Sequence, residues 1–384
     1  HKNHLMDELK LKFNNKKTLI TGLIISIFAL YYFSEIKKNQ IKFEELALGE
    51  DVTVEFGTVE NYKVHCQDLR DINECISSYF NHGENLPVTL WLGNSQLHAI
   101  NQFTAGDKPS SVKLHKLLKK QKQFLITFSQ PNANLQEHLI LLSHLIQKLP
   151  VRNLILPVVF DDMREINIRS QIENIFEYDG TKNFLIKSSK IGKNLYKNFL
   201  STKENSGETI SSDSSLQKKS EKLLNQGLEK IWPIWINRPN LRGDLFNELY
   251  QIRNYIFQIN PSSTRNMIPG HYLKNFQALE DLLSISNYKE LEVLIYIVPI
   301  RDDYKIPYQY DEYINFKRDI KDLSIKKDIE FINLEKTVPN SLWGEKISTS
   351  VINQKEIDFM HFKSEGHDLL AEAIYQQLIG LKKK

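Results

Sequence analysis

The residues of this sequence best suited to covalent chemistry are a serine near one end and an aspartate–histidine pair near the other. Ser95 follows a short apolar run, and Asp358-Phe359-Met360-His361 precedes the last amphipathic stretch. A serine hydroxyl becomes a nucleophile when a neutral imidazole takes its proton, and that imidazole needs a carboxylate to fix its tautomer. Seen separately, Ser95 is more typical of a turn or a helix cap, and His361 of a surface histidine. Together these residue types indicate acyl-transfer chemistry, with Asp358 and His361 supplied from one loop.

The stretch before Ser95 predicts a strand and a tight turn. Residues 88–92 form an apolar run typical of a buried parallel strand, and Gly93 and Asn94 tolerate the dihedral angles of a sharp turn. We expect Ser95 to open a helix at the carboxyl edge of a sheet, where free N–H groups of the helix can stabilise an oxyanion.

Beyond the serine, apolar runs of strand length alternate with amphipathic runs of helix length. Strands are predicted at 124–128, 151–160, 291–300 and 329–334, and helices at 135–149, 310–323 and 369–381. Alternation of this kind implies a parallel sheet covered on both faces, so we expect a three-layer α/β/α sandwich with catalytic residues at its carboxyl edge. Periodicity fails after residue 187, and a helical insertion is predicted at about 190–290.

The Gly93-Asn94-Ser95 turn at one end and Asp358-x-x-His361 at the other resemble the first and last blocks of the SGNH (GDSL-like) hydrolase superfamily. The resemblance covers roughly residues 85–384. It implies an SGNH or flavodoxin-like fold, with Ser95 as nucleophile, His361 as general base and Asp358 as its orienting carboxylate. The most similar branch is membrane-anchored and extracytoplasmic and works with membrane-bound O-acyltransferases, as do the D-alanine-transfer protein of teichoic-acid modification and the alginate-acetylation proteins.

The sequence departs from that superfamily in the two middle blocks, which normally furnish the oxyanion hole. The second-block glycine is missing from residues 128–134, and the third-block Gly-x-Asn is replaced by Asp161-Asp162-Met163-Arg164-Glu165. Asn134 is the best remaining side chain for the oxyanion hole. The full set of candidates for oxyanion or substrate binding is Asn94, Asn132, Asn134, Asp161, Arg164 and Arg301.

Arg301 belongs to this set because it follows the most apolar internal run, 291–300. A charged residue directly after a buried strand lies at the ligand edge of an α/β sheet. An ion pair between Arg301 and Asp302 or Asp303 is an equally good interpretation.

Residues 18–36 carry no charge up to Ser34 and approach the roughly 20 residues that span a hydrocarbon core. Lysines flank this stretch and two tyrosines lie near its end, which favours an uncleaved anchor over a buried core helix. We therefore predict a cytoplasmic tail at 1–17, a transmembrane anchor at 18–36, a juxtamembrane segment at 37–84 and an extracytoplasmic catalytic domain at 85–384.

Two cysteines, Cys66 and Cys75, lie within the juxtamembrane segment. Their separation suits a local disulfide loop in an oxidising compartment. Two unrelated buried thiols are the alternative, because sequence alone does not establish their geometry.

The net charge of +3 gives no global basic field for nucleic acid. The sequence contains no metal-ligand cluster, phosphate loop or dinucleotide fingerprint, so we expect neither a metal nor a cofactor. The predicted function is O-acyl transfer to a cell-envelope glycan or teichoic-acid-like polymer through acyl-Ser95, together with a membrane-bound O-acyltransferase. A carbohydrate esterase or deacetylase and a non-catalytic accessory protein of an acyltransferase complex are the alternatives.

Overall fold

The computed structural model describes residues 52–54, 57–66, 72–205, 263–347 and 355–381. The predicted tail at 1–17, the predicted anchor at 18–36 and the part of the predicted insertion at 206–262 lie outside the described residues. Among the helices in the described ranges, none is both long enough and apolar enough to cross a bilayer.

The described strands, in chain order, are β1 (Val52–Val54), β2 (Gly57–Val59), β3 (Tyr62–Cys66), β4 (Val88–Gly93), β5 (Ala99–Asn101), β6 (Phe124–Ser129), β7 (Val151–Val158), β8 (Glu292–Ile297), β9 (Glu330–Asn333), β10 (Trp343–Ile347) and β11 (Lys355–Phe362). The described α-helices are α1 (Ile72–Asn81), α2 (Ser110–Lys119), α3 (Leu135–Leu145), α4 (Ser170–Glu173), α5 (Asp179–Ser188), α6 (Lys190–Asn205), α7 (Pro269–Tyr288), α8 (Tyr310–Lys326) and α9 (Ser364–Leu381). The strands and helices predicted from the apolar runs are all present, with ends displaced by a few residues.

Seven of these strands form one sheet in the order β2-β3-β6-β4-β7-β8-β9. Only β2 runs antiparallel to its neighbour; the remaining pairs in this sheet are parallel. The order of the last five strands, β6-β4-β7-β8-β9, matches the 2-1-3-4-5 order of flavodoxin-like sheets, in which ligands bind beyond the carboxyl ends of the strands. The expectation of an α/β fold with a mostly parallel sheet is thus confirmed.

The central strand β4 is buried on both faces because its side chains alternate between two apolar layers. Leu90 and Leu92 share a cluster with residues of α1, α3, α7 and α8. Trp91 lies in a second cluster with residues of α2 and α9, and its indole N–H donates to the Tyr296 hydroxyl of β8 at 3.2 Å. Helices therefore cover both faces of the sheet, as the three-layer prediction requires.

The described chain between β7 and β8 is helical from an earlier point than predicted. A 3₁₀ turn (Asp162–Arg164) and helices α4 and α5 precede residue 190, where the insertion was expected to begin. The short apolar runs at 172–176 and 184–186 pack on the layer that contains α3 and α7, but they are too short to show a clear helical period in sequence.

A disulfide joins Cys66, the last residue of β3, to Cys75 in α1, with Cα atoms 6.3 Å apart. Both cysteines are buried. The bond fastens α1 to an outer part of the sheet, across a sequence separation of nine residues.

We expect replacement of both Cys66 and Cys75 by alanine to lower the free energy of unfolding by about 3 kcal/mol, because the bond closes a short loop and restricts the unfolded chain. Urea unfolding of the double variant, followed by tryptophan fluorescence, measures this change. The matched control is the wild-type chain treated with reductant, which should lose a similar amount. Equal stability of oxidised wild type and the double variant would contradict the prediction.

Candidate active site

The structure brings Ser95, His361 and Asp358 into one hydrogen-bonded series. The Ser95 Oγ lies 3.0 Å from Nε2 of His361, and Nδ1 of the same ring lies 2.9 Å from Oδ2 of Asp358. Asp358 and His361 are buried, whereas Ser95 is half-buried. A neutral His361 that donates from Nδ1 to the carboxylate leaves Nε2 free to accept the serine proton, which is the tautomer that a general base needs.

Local hydrogen bonds fix the Asp358 carboxylate. Its Oδ1 accepts from the backbone N–H groups of Met360 at 2.9 Å and His361 at 3.0 Å. Its Oδ2 also accepts from Asn101 Nδ2 at 3.3 Å. Burial alone would raise the Asp358 pKa, but the adjacent His361 ring and these hydrogen bonds hold that pKa well below its usual range. The group therefore stays a carboxylate and can stabilise a positive imidazole.

Asp358 and His361 lie within strand β11 and not in the predicted loop. The register between β10 and β11 passes from the pair Trp343–Phe362 to the pair Glu345–Ile357, so the segment from Asp358 to His361 faces only Gly344. This irregularity lets two side chains three residues apart point to the same place, which a regular strand does not allow. A Cβ on Gly344 would lie 1.7 Å from Oδ1 of Asn101, so only glycine permits this close approach.

Ser95 opens a 3₁₀ turn, Ser95–Leu97, and not the longer helix that the sequence predicted. Strand β5 follows at once, and the crossover helix α2 comes later. Asn94 caps the turn because its Oδ1 accepts from the Gln96 N–H at 3.1 Å. Within the described residues the Ser95 N–H makes no hydrogen bond, so this donor is available to an oxyanion on the acyl group.

Gln96 fastens the serine turn to the other half of the site, a role that the sequence did not reveal. Its Nε2 donates to the carbonyl oxygens of Pro299, after β8, and Met360, in β11, each at 2.9 Å. The side chain is buried. It thereby fixes the distance between the segment that carries Ser95 and the segment that carries His361.

Asn134, the leading sequence candidate for the oxyanion hole, is the N-cap of α3. Its Oδ1 accepts from the N–H groups of Gln136 and Glu137, each at 3.1 Å. Its Nδ2 donates to the Asn167 carbonyl at 2.8 Å, and the residue is 1% exposed. The structure thus gives the Asn134 amide a capping role, while Asn132 is exposed in the left-handed conformation of the preceding turn.

Asp161 and Arg164 belong to a charged cluster next to the triad of Ser95, His361 and Asp358. Asp161 Oδ1 pairs with Arg164 at 3.0 Å, and its Oδ2 contacts Arg265 and accepts from the Tyr308 hydroxyl at 3.0 Å. The same hydroxyl lies 3.9 Å from the sulfur of Met360, between the two triad residues of β11. Burial and the Asp161 charge raise the Tyr308 pKa well above its ordinary value, so this phenol stays neutral.

Arg301 forms the ion pair that was one of its two interpretations. Its Nε and one terminal nitrogen donate to Asp303 at 2.6 and 3.1 Å, and the other terminal nitrogen donates to the Gly344 carbonyl at 2.8 Å. Through Gly344 the guanidinium supports the irregular segment of β11 that carries Asp358. The structure therefore places Arg301 beside the site as a support for β10.

Two buried histidines, His98 at the end of the serine turn and His65 in β3, contact the same serine hydroxyl. Ser129 Oγ, at the end of β6, lies 2.6 Å from Nδ1 of His98 and 2.5 Å from Nε2 of His65. His65 Nδ1 in turn lies 2.6 Å from Ser111 Oγ. Burial, together with the nearby His361 ring, lowers the His98 pKa to about 3. No motif in the sequence marks these residues, because their contacts join segments that are distant along the chain.

The chain matches no protein-family model and no curated protein. Among solved structures it is similar to the inhibitor-bound form of M. smegmatis aryl esterase, at 10% sequence identity and a TM-score of 0.35. The alignment covers 77% of this chain and 99% of that chain.

Proposed function

We propose that this chain forms an acyl ester on Ser95 and passes the acyl group to a second acceptor. The observation that carries the proposal is the series Ser95–His361–Asp358, with spacings of 3.0 and 2.9 Å. This arrangement positions a base on the nucleophile and a carboxylate on the base, which is the requirement for covalent acyl transfer.

In the first half-reaction, Ser95 Oγ attacks the carbonyl carbon of an acyl donor while its proton moves to Nε2 of His361. The oxyanion that forms accepts a hydrogen bond from the Ser95 N–H. Collapse of this intermediate breaks the bond to the leaving alcohol, which takes the proton from His361, and the acyl group stays on Ser95. In the second half-reaction, a water molecule or a sugar hydroxyl gives its proton to His361 and attacks the acyl carbon of acyl-Ser95. The bond from that carbon to Ser95 Oγ then breaks, and Oγ takes the proton back from His361.

We infer that the acceptor is a cell-envelope glycan or teichoic-acid-like polymer. We also infer that a membrane-bound O-acyltransferase supplies the acyl group. The resemblance of the two terminal blocks to the anchored branch of the SGNH superfamily supports this proposal. The Cys66–Cys75 bond suits the oxidising space outside a membrane. An anchor at 18–36 would keep Ser95 near a membrane donor at high effective concentration, which a free esterase does not need.

The test is the acyl content of the envelope glycan in cells that carry Ser95→Ala at the normal protein level. Loss of acylation is expected, because the variant has no hydroxyl at position 95 on which the acyl ester can form. The matched control is Ser77→Ala, an exposed serine of α1, which should leave acylation unchanged. Unchanged acylation in Ser95→Ala would reject the transfer reaction in favour of an accessory role, and increased acylation would indicate an esterase.

A further inference from the structure

A buried carboxyl group that the triad does not use lies one side chain away from the nucleophile. Asp162 begins the 3₁₀ turn after β7 and is 6% exposed. Its Oδ2 accepts a hydrogen bond from Asn94 Nδ2 at 2.8 Å. Asn94 directly precedes Ser95 and caps its turn, so Asp162 contacts the segment that holds the nucleophile.

The sheet brings Asp162 and Ser95 to the same edge. Strands β4 and β7 are parallel neighbours, with Leu90 paired to Leu154 and Trp91 to Ile155. Ser95 follows the carboxyl end of β4, and Asp162 follows the carboxyl end of β7. Side chains at the ends of adjacent parallel strands face one ligand site.

The surroundings of Asp162 favour its neutral form. Burial raises the Asp162 pKa well above its ordinary value, the charges of Asp161 and Glu165 add to this effect, and the Asn94 hydrogen bond and Arg169 oppose it. The neighbouring guanidinium groups pair with other carboxylates: Arg164 and Arg265 with Asp161, and Arg169 with Glu137. Among the described residues no cation forms an ion pair with Asp162.

Of the two oxygens of this carboxyl group, Oδ2 has a hydrogen-bond partner, and Oδ1 has none among the described residues. Oδ2 is engaged by Asn94, and within the described ranges no side chain or backbone group bonds to Oδ1. Since Oδ2 already accepts a hydrogen bond, the proton of the neutral acid belongs on Oδ1. A neutral carboxyl group in a dry site can donate a hydrogen bond to developing negative charge, whereas a carboxylate would repel that charge.

We propose that Asp162 is a catalytic residue: as a neutral acid it donates a hydrogen bond from Oδ1 to the oxyanion formed when Ser95 attacks an acyl carbonyl. It acts beside the Ser95 N–H, and its proton stays on the carboxyl group throughout, so no other base or acid is consumed. This inference rests on the proposed function.

The test uses hydrolysis of p-nitrophenyl acetate by the purified full-length chain between pH 6 and 10, corrected for spontaneous hydrolysis. In the wild type, kcat should fall at alkaline pH as Asp162 ionises. Asp162→Asn keeps an N–H donor and an acceptor for Asn94, so this variant should stay active while the alkaline fall disappears. Asp162→Ala should lower kcat about 10²–10³-fold with a smaller change in KM, the usual loss on removal of one oxyanion donor.

Glu165→Gln is the matched control, because Glu165 is an exposed carboxyl three residues further along the chain. It should retain the wild-type rate and an alkaline fall, displaced slightly to lower pH because one negative charge near Asp162 is removed. The inference is overturned if Asp162→Asn keeps the alkaline fall, or if Asp162→Asn loses as much activity as Asp162→Ala, since Asp162 would then only hold Asn94. A Ser95→Ala variant as active as wild type would instead overturn the proposed function, and the role of Asp162 with it.

Discussion

Ser95→Ala is expected to lower ester hydrolysis by the purified full-length chain by at least ~10³-fold, because the variant has no hydroxyl to form the acyl intermediate. His361→Ala should lose a similar factor, since Ser95 then has no group to accept its proton. Asp358→Ala should lose somewhat less, because His361 can still act as a base in part of its tautomers. The measurement is the initial rate with p-nitrophenyl acetate at neutral pH.

The effects of these substitutions on the rate should not be additive. Residues that act as one unit lose nearly everything when the first is removed, so the double variant Ser95→Ala/His361→Ala should be no slower than either single variant. Mass spectrometry of the wild type should also find the acyl group on the peptide that contains Ser95. Retention of a tenth or more of the wild-type rate in Ser95→Ala would exclude Ser95 as the nucleophile.

The sequence predicted the strands of the parallel sheet well because a strand buried on both faces must be apolar at nearly every position. Residues 88–92 and 291–300 have this property apart from Thr89 and Glu292, and both runs lie in interior strands of the sheet. The grouping of Ser95, Asp358 and His361 was predicted from residue type and position. Ser95 follows the run 88–92, and Asp358 and His361 precede the last amphipathic stretch; neither criterion needs a contact between distant segments.

The supports of the triad could not be predicted, because they depend on contacts that the sequence does not encode locally. Gln96 is next to Ser95 in sequence, yet its partners are the carbonyl oxygens of Pro299 and Met360. Asn134 has the right residue type for an oxyanion donor, but the start of α3 uses its amide as a cap. Asp162 was not singled out in sequence, since the value of a carboxyl group there depends on its burial.

The irregular register of β11 could not be predicted from the sequence either. Asp358 and His361 were expected in a loop, and two residues three apart on a regular strand would face opposite sides. The strand instead accommodates them by an irregularity opposite Gly344. A lone glycine in a strand is a weak signal for such a feature, and here its close neighbour, Asn101, comes from β5.

The second large effect that we expect is loss of stability in mild acid, caused by buried histidines. The set whose pKa is lowered by burial includes His65, His98, His138, His144 and His367. For His98, His138 and His367 the pKa is about 3. Unfolded histidine titrates near pH 6.5, so below that pH the unfolded chain binds protons that the folded chain cannot bind.

The sign of the effect follows from this difference in proton binding. Stability contributed by these histidines is fully present above about pH 6.5 and falls as the pH drops towards their folded pKa, by about 1.4 kcal/mol per pH unit for each histidine. Asp162 and Glu137 act in the opposite direction, because their pKa is raised by burial. They offset part of the contribution of the other buried histidines. The three histidines with a pKa of about 3 set the scale of the fall, about 4 kcal/mol per pH unit below pH 6.

The Asp358 carboxylate does not interfere in this range. Its pKa is held below the usual value, so its contribution is present above about pH 4, where unfolded aspartate titrates, and is lost only at lower pH. Between pH 6 and pH 5 the fall therefore comes from the buried histidines, opposed only by Asp162 and Glu137. A fall of about 4 kcal/mol there is a large part of the 5–15 kcal/mol by which folded proteins are usually stable.

Urea unfolding of the full-length chain at pH 7, 6 and 5, followed by tryptophan fluorescence, should show this fall directly. His138→Gln provides the matched comparison: His138 is buried within α3, and glutamine is polar but does not titrate. Any change that the substitution makes to the free energy of unfolding at pH 7 leaves this comparison intact. Between pH 6 and pH 5, however, that free energy should fall less steeply with pH, by about 1.4 kcal/mol per pH unit, because one proton fewer is taken up on unfolding. A free energy of unfolding that changes by less than about 1 kcal/mol from pH 6 to pH 5 would contradict the prediction, since the buried rings would then be protonated in the folded chain as readily as in the unfolded one.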